Sequence, residues 1–184
     1  MKVLLFNGTL SSAQDTSEQI TDYLKNHLEH LGFEVVVFRL AAHDIPFFDP
    51  RIKETPAAVK QMLEIFRECD RHIWLTPLYH GGMVGAMKNC LDWLVLSAQE
   101  NFPYLTSKVV GLICWAYGGN AATGIDALRT IVANLRAWTL PYSIPIVRED
   151  LYEHQTASFT ALYQERFKRL SELLVEDTLP VYGR

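Results

Sequence analysis

Along the chain, short continuous apolar runs alternate with longer stretches that carry a single apolar stripe. Val3-Leu4-Leu5-Phe6 has no polar break, as a strand covered on both faces requires. Gly8 to Asp15 is polar and loop-like. From Thr16 to Leu31, the residues Ile20, Leu24, Leu28 and Leu31 recur at helical spacing; Asp15-x-x-Glu18 resembles a capping box and Gly32 is a stop signal. Glu34 to Leu40 reads as a second buried strand around Val35-Val36-Val37-Phe38. Pro46 and Pro50 punctuate His43–Thr55 as an irregular surface loop, and Pro56 opens a helix with Val59, Met62, Leu63 and Phe66 on one face.

The alternation continues to the end. Arg71–Thr76 reads as a third strand, Val84–Ser97 as a helix and Lys108–Trp115 as a fourth strand. A helix then runs to about Ala137, followed by a Pro-interrupted fifth strand within Trp138–Val147 and a closing helix over Ser158–Glu176. Five strands and five helices in strict alternation require parallel pairing with right-handed crossovers, because each helix must return the chain to the same edge of the sheet. The expected architecture is a three-layer α/β/α fold around a five-stranded parallel sheet of order 2-1-3-4-5. No repeat or linker divides residues 1–184, so one domain is expected.

Composition narrows the function classes. Of 184 residues, 49% are apolar and 21% charged, an ordinary globular balance. A net charge of −4 without a basic stripe argues against nucleic acid and against an anionic membrane surface as partners. Cys69, Cys90 and Cys114 are far apart and form no metal or redox motif, which points to reduced core residues. The N-terminal apolar run is too short for a secretory signal and no segment approaches 18 apolar residues, so a cytoplasmic protein is expected.

In open α/β sheets ligands bind outside the carboxyl ends of the strands. Three loops there have unusual composition: Gly8–Ser17, Pro77–Gly85 and Ala116–Ala122. The first opens a helix and carries hydroxyls at Thr9, Ser11, Thr16 and Ser17. Free amides and the helix dipole make such a turn an anion site, although plain helix capping accounts for the same residues. It is neither a Walker loop nor a dinucleotide G-x-G-x-x-G, so a mononucleotide phosphate is the better candidate. Asp15 would repel a phosphate and is assigned to capping the helix. In the second loop, Gly81-Gly82 stands beside Tyr79 and His80, which suits close backbone approach to a flat ligand. His80 lacks a nearby carboxylate to tune it, and bordering the site suits it better than acid–base catalysis. The third loop, Tyr117-Gly118-Gly119-Asn120, either wraps the ligand's far edge or is a simple strand-to-helix turn.

At these loops the chain resembles the NADPH-dependent FMN reductase family of flavodoxin-like proteins, which includes flavin, quinone, chromate and azo-dye reductases. The run from Pro77-Leu78-Tyr79-His80-Gly81-Gly82 through Gly85 to Lys88-Asn89-Cys90-Leu91-Asp92-Trp93 stands where the family has Pro-x-Tyr-Asn-Gly-Ser-x-Pro-Gly-x-x-Lys-Asn-x-x-Asp-Trp. Gly8-Thr9-Leu10-Ser11 and Asp15-Thr16 stand in the places of its phosphate loop. The resemblance implies a flavodoxin-like fold and a reductase that uses FMN with NADPH or NADH to reduce a small-molecule acceptor. It also implies that Thr9, Ser11, Thr16 and Ser17 hold the FMN phosphate. Pro77, Leu78, Tyr79, His80 and Gly81 would then lie along the isoalloxazine ring, and Tyr117, Gly118, Gly119 and Asn120 would meet its pyrimidine side. A homodimer or homotetramer follows from the same resemblance, with Tyr79, Trp93 and Phe102-Pro103-Tyr104 as candidate contacts. Three departures stand out: Ser11 replaces the family's loop arginine, His80 its asparagine and Val84 its proline. Two rivals remain at this point: a flavodoxin-type electron carrier, and a flavin-free relative with a binding or scaffold role.

Overall fold

The computed structural model describes residues 1–10, 15–154 and 156–176. The strand segments are β1 (Lys2–Asn7), β2 (Glu34–Arg39), β3 (Arg71–Pro77), β4 (Val109–Ala116), β5 (Trp138–Thr139) and β6 (Ile144–Val147). The α-helices are α1 (Thr16–His30), α2 (Ala57–Glu68), α3 (Gly85–Asp92), α4 (Ala121–Asn134) and α5 (Ala161–Val175). All pairings among these strands are parallel, in the order β2-β1-β3-β4-β5, with β6 also paired to β4. This is the flavodoxin-like order expected from the alternation.

The period-two alternation of side chains divides the core into two layers. On one face Leu4, Phe6, Trp74 and Leu112 pack with Met62, Phe66, Met87, Leu91 and Leu128 of α2, α3 and α4. On the other, Val3, Leu5, Ile73 and Ile113 pack with Ile20, Leu24 and Leu28 of α1 and Phe167 and Leu170 of α5. Phe6 sits edge-on to Phe66, Phe38 and Trp74, with ring centroids 4.8, 5.8 and 6.2 Å away. Buried Arg71 donates from Nε to the Leu174 carbonyl at 3.1 Å, placing a cation at the electronegative end of α5. Cys69, Cys90 and Cys114 are free and buried; burial pushes the Cys69 thiol up to about 11 and Cys114 to about 12.

Four details depart from the sequence reading. Strand β2 is an edge strand: Val35, Val36 and Val37 are only half-covered and Phe38 alone is buried, because β2 pairs on one side only. The fifth strand is split. β5 runs beside Val109 and Val110, β6 beside Ile113 to Ala116, and Leu140–Ser143 bridges them around Pro141. The helix expected over Val84–Ser97 ends at Asp92 and tightens into a 3-10 turn over Trp93–Ser97, where Ser97 Oγ donates to the Leu94 carbonyl and accepts from the Tyr104 amide. Trp93 is fully buried and Pro103 is buried, so neither is an exposed contact; Phe102 is exposed. The Trp93 indole N–H and the Asn89 side-chain amide both donate to the Pro46 carbonyl at 2.9 Å, and Asn89 Oδ1 accepts from the Phe48 amide. These residues thus hold the 43–55 loop against α3.

Candidate active site at the carboxyl edge of the sheet

At the end of β1, Asp15 caps α1: its Oδ1 accepts from the Ser17 amide at 2.8 Å, the Ser17 hydroxyl at 2.6 Å and the Glu18 amide at 3.1 Å. Behind this cap lies a buried polar network. Asn7 Nδ2 donates to Ser17 Oγ at 3.0 Å, Thr9 Oγ1 donates to Asn7 Oδ1 at 2.9 Å, and the Thr9 and Ser17 hydroxyls lie 3.1 Å apart. Thr16 Oγ1 accepts from the Tyr152 hydroxyl at 3.2 Å, across 136 residues of sequence. An accepted bond leaves the Thr16 proton free to serve as a donor.

At the end of β3, the Tyr79 amide donates to the Gly82 carbonyl and the Gly82 amide returns to Tyr79, at 2.9 and 3.0 Å. His80 (φ 48°) and Gly81 (φ 85°) between them form a hairpin turn of the type that needs two left-handed residues. Glycine adopts that conformation freely and histidine more readily than most other residues. Thr76 Oγ1 accepts from the Val84 amide at 3.3 Å and closes the base of this loop. At the end of β4, Tyr117 to Asn120 are exposed and lead into α4. Among the described residues, no acceptor meets the amides of His80, Gly81, Gly118 or Gly119.

A cleft of about 250 Å³ opens where these loops meet, lined by Asp15, Thr16, Ser17, Pro77, Leu78, Tyr79, Trp115, Ala116, Tyr117 and Arg148. Of the residues singled out from sequence, Thr16, Ser17, Pro77, Leu78, Tyr79 and Tyr117 share this lining. Thr9 lies behind it, bonded to Ser17, while His80, Gly81, Gly118, Gly119 and Asn120 adjoin it without entering it. Ser11 lies outside the described residues.

Residues 1–150 match the NADPH-dependent FMN reductase family. The chain belongs to that family. An FMN-dependent NADPH-azoreductase of Staphylococcus aureus is 29% identical over 181 residues, spanning 96% of this chain and 92% of its own length. Among solved structures, the flavoenzyme NAD(P)H:(acceptor) oxidoreductase FerB of Paracoccus denitrificans superposes with a TM-score of 0.74 at 17% identity, over 94% of this chain and 96% of its own. A Streptococcus pneumoniae flavodoxin superposes at 0.59 with 19% identity, over 94% and 95%. At such identities the superpositions speak for the shared fold.

The sequence reading passed over Trp115 and Arg148, and named Ala116 only as the start of the third loop. The signal for Arg148 was available: it follows a strand's carboxyl end, like the three loops singled out. Its guanidinium lies 4.8 Å from the centroid of the Tyr117 ring, and its Nη1 donates to the Tyr117 hydroxyl. Among the described residues, no helix is long and apolar enough to cross a membrane.

Proposed function

We propose that this member of the family is an NAD(P)H-dependent oxidoreductase that binds FMN in the cleft and reduces flavins, quinones or similar small acceptors. The observation that carries the reading is the convergence of three strand-end loops on one cleft with complementary chemistry at its two sides. One side offers the Thr16 hydroxyl at the amino end of α1, next to Ser17, whose hydroxyl donates to the Asp15 cap. The other offers two loops in which, among the described residues, the amides of His80, Gly81, Gly118 and Gly119 meet no acceptor. A phosphorylated, flat, heteroatom-rich molecule fits that pairing. The volume, about 250 Å³, is below the range typical of enclosing ligand sites, so such a molecule keeps a face open to solvent and to a second substrate.

In this reading Thr16 and Ser17, supported by Thr9 and joined by Ser11, hold the phosphate. Pro77 to Gly81 line the isoalloxazine ring, and Tyr117 to Asn120 address its pyrimidine edge. FMN, when bound, supplies the redox chemistry, taking a hydride from NAD(P)H and returning the electrons to an acceptor at the same position. The chain's own work is binding and electrostatics. Fixed amides at the loop ends stabilise negative charge developing at the pyrimidine edge, and the Thr76 clasp and paired Tyr79–Gly82 bonds keep the second loop in place. No side chain in the lining is required as acid, base or nucleophile, and His80 borders the site. We further propose that residues 1–184 act as one domain, in a homodimer or homotetramer that uses exposed Tyr79 and Phe102, in the NADPH-supplied cytoplasm.

The test is an anaerobic titration of the FMN-loaded protein with NADPH. Bleaching of the flavin absorbance, followed by recolouring on addition of a quinone and parallel double-reciprocal plots in turnover, is the expected result. Bound flavin that NADPH does not bleach makes the protein a carrier, and a protein that takes up no FMN ends the reading altogether.

A further inference from the structure

We infer that Arg148 is the charged contact of the flavin phosphate, reaching the cleft from the carboxyl end of β6 rather than from the loop after β1. The inference rests on the FMN reading above.

Arg148 is half-buried and shares the cleft lining with Thr16 and Ser17. The segment that carries it touches the amino end of α1 directly, since Tyr152, four residues further on, donates to Thr16 Oγ1. Arg148 is held in place by the Tyr117 ring and hydroxyl, which engage one of its five N–H donors. Among the described residues no carboxylate lies within ion-pairing distance of it, although Glu149 and Asp150 follow it in the chain. Asp15 is the carboxylate of the lining, and its Oδ1 already receives the Ser17 amide and hydroxyl and the Glu18 amide. The cleft therefore brings together a guanidinium with uncommitted donors and the Thr16 hydroxyl, beside a helix end that Asp15 already caps. Asp15 places a negative charge there, so a phosphate entering the cleft needs a cation to offset it, and Arg148 is the guanidinium of the lining. Its planar fork matches the oxygens of a phosphate held between it and Thr16. Ser11 in the loop after β1 brings no positive charge, so Arg148 supplies it.

Flavin-fluorescence titrations of FMN and of riboflavin, which lacks the phosphate, against wild type, Arg148→Ala and Arg148→Lys test this without turnover. The expected result is a loss of roughly ten- to hundredfold in FMN affinity for Arg148→Ala with riboflavin affinity unchanged. Arg148→Lys should recover part of the loss, and added salt should weaken FMN binding less in Arg148→Ala than in wild type. Circular dichroism confirms that the variants are folded. An equal loss for both flavins, or none for FMN, overturns the inference. So does an unchanged FMN affinity with a lost preference for NADPH over NADH, which would assign the guanidinium to the dinucleotide's phosphate. A wild-type protein that binds neither flavin overturns this inference and the FMN reading together. Wild-type FMN binding that Arg148→Ala leaves intact overturns only the inference.

Discussion

Asp15 shows how much one side chain can organise at a helix start. Its Oδ1 accepts two amides and a hydroxyl, and the Ser17 hydroxyl it orients also meets Thr9 and Asn7. Asp15→Ala removes the cap and leaves these donors without an acceptor, so it should cost about 1–2 kcal/mol of stability. Urea unfolding of the flavin-free protein measures this directly, and an unchanged midpoint would mean that water replaces the cap at no cost. The cap itself was legible in the sequence, because Asp before a helical stripe with Glu three residues on is a local signal. The partners of Ser17 were not, since Asn7 belongs to the preceding strand and meets it only once β1 and α1 are packed together.

Between elements, α4 lies close against the sheet at Gly124. A Cβ added at Gly124 would run into Cys114 Sγ and come within 3.0 Å of Leu78 Cδ1. Helix propensity alone favours Gly124→Ala by about 1 kcal/mol. The contact reverses the sign, because an added methyl in a filled core costs about 1–3 kcal/mol and the side chains to be moved belong to β4 and to the site's second loop. Gly124→Ala should therefore lower the melting temperature, and adding Cys114→Ala should restore most of the loss by vacating the sulfur's space. Additive losses in the double variant would locate the strain elsewhere. The same scale explains the two elements whose ends the sequence misplaced. The 84–97 stripe continues unbroken in sequence, yet Trp93 turns its indole to the Pro46 carbonyl and Ser97 ties into Tyr104, so the helix tightens after Asp92. Pro141 marked an interruption near the fifth strand, but only pairing with β4 shows that strand resuming at Ile144.

For the whole molecule, the informative titration is in the core. His72 on β3 is completely buried, with Nδ1 accepting the Trp74 indole N–H at 3.4 Å, and burial drives its pKa from the usual 6.5 down to about 3. The folded chain keeps His72 neutral while the unfolded chain protonates it, so between about 6.5 and 3 the unfolded state holds the extra proton. Stability is then fully present above about 6.5 and falls as pH drops through that window, by an amount on the order of a few kcal/mol. His43, stacked on Phe38, and His27 are also shifted down by burial and act in the same direction. His72→Gln, which keeps an acceptor for the indole but does not titrate, should flatten the decline seen in urea unfolding between pH 7 and 5. Parallel profiles for wild type and variant would assign the acid sensitivity to other groups.

The layered architecture followed from the sequence alone. Apolar period, capping residues and glycine or proline breaks are local, and their strict alternation leaves parallel pairing as the way to bury every run. The hydroxyl-rich loop after β1 and the glycine loops after β3 and β4 were legible for the same reason, because strand-end loops are named by the strands they follow. Tertiary structure decided which residues face one another across the cleft. Thr16 and Tyr152 are 136 residues apart and meet because α1 and the segment after β6 lie at the same carboxyl edge, while β6 reaches its place only by pairing with the upper half of β4. Such contacts depend on pairing order and register, which are set by burial summed over the whole chain: the sequence marks Arg148 as a strand-end residue, but not that it shares a cleft with Thr16 and Tyr117.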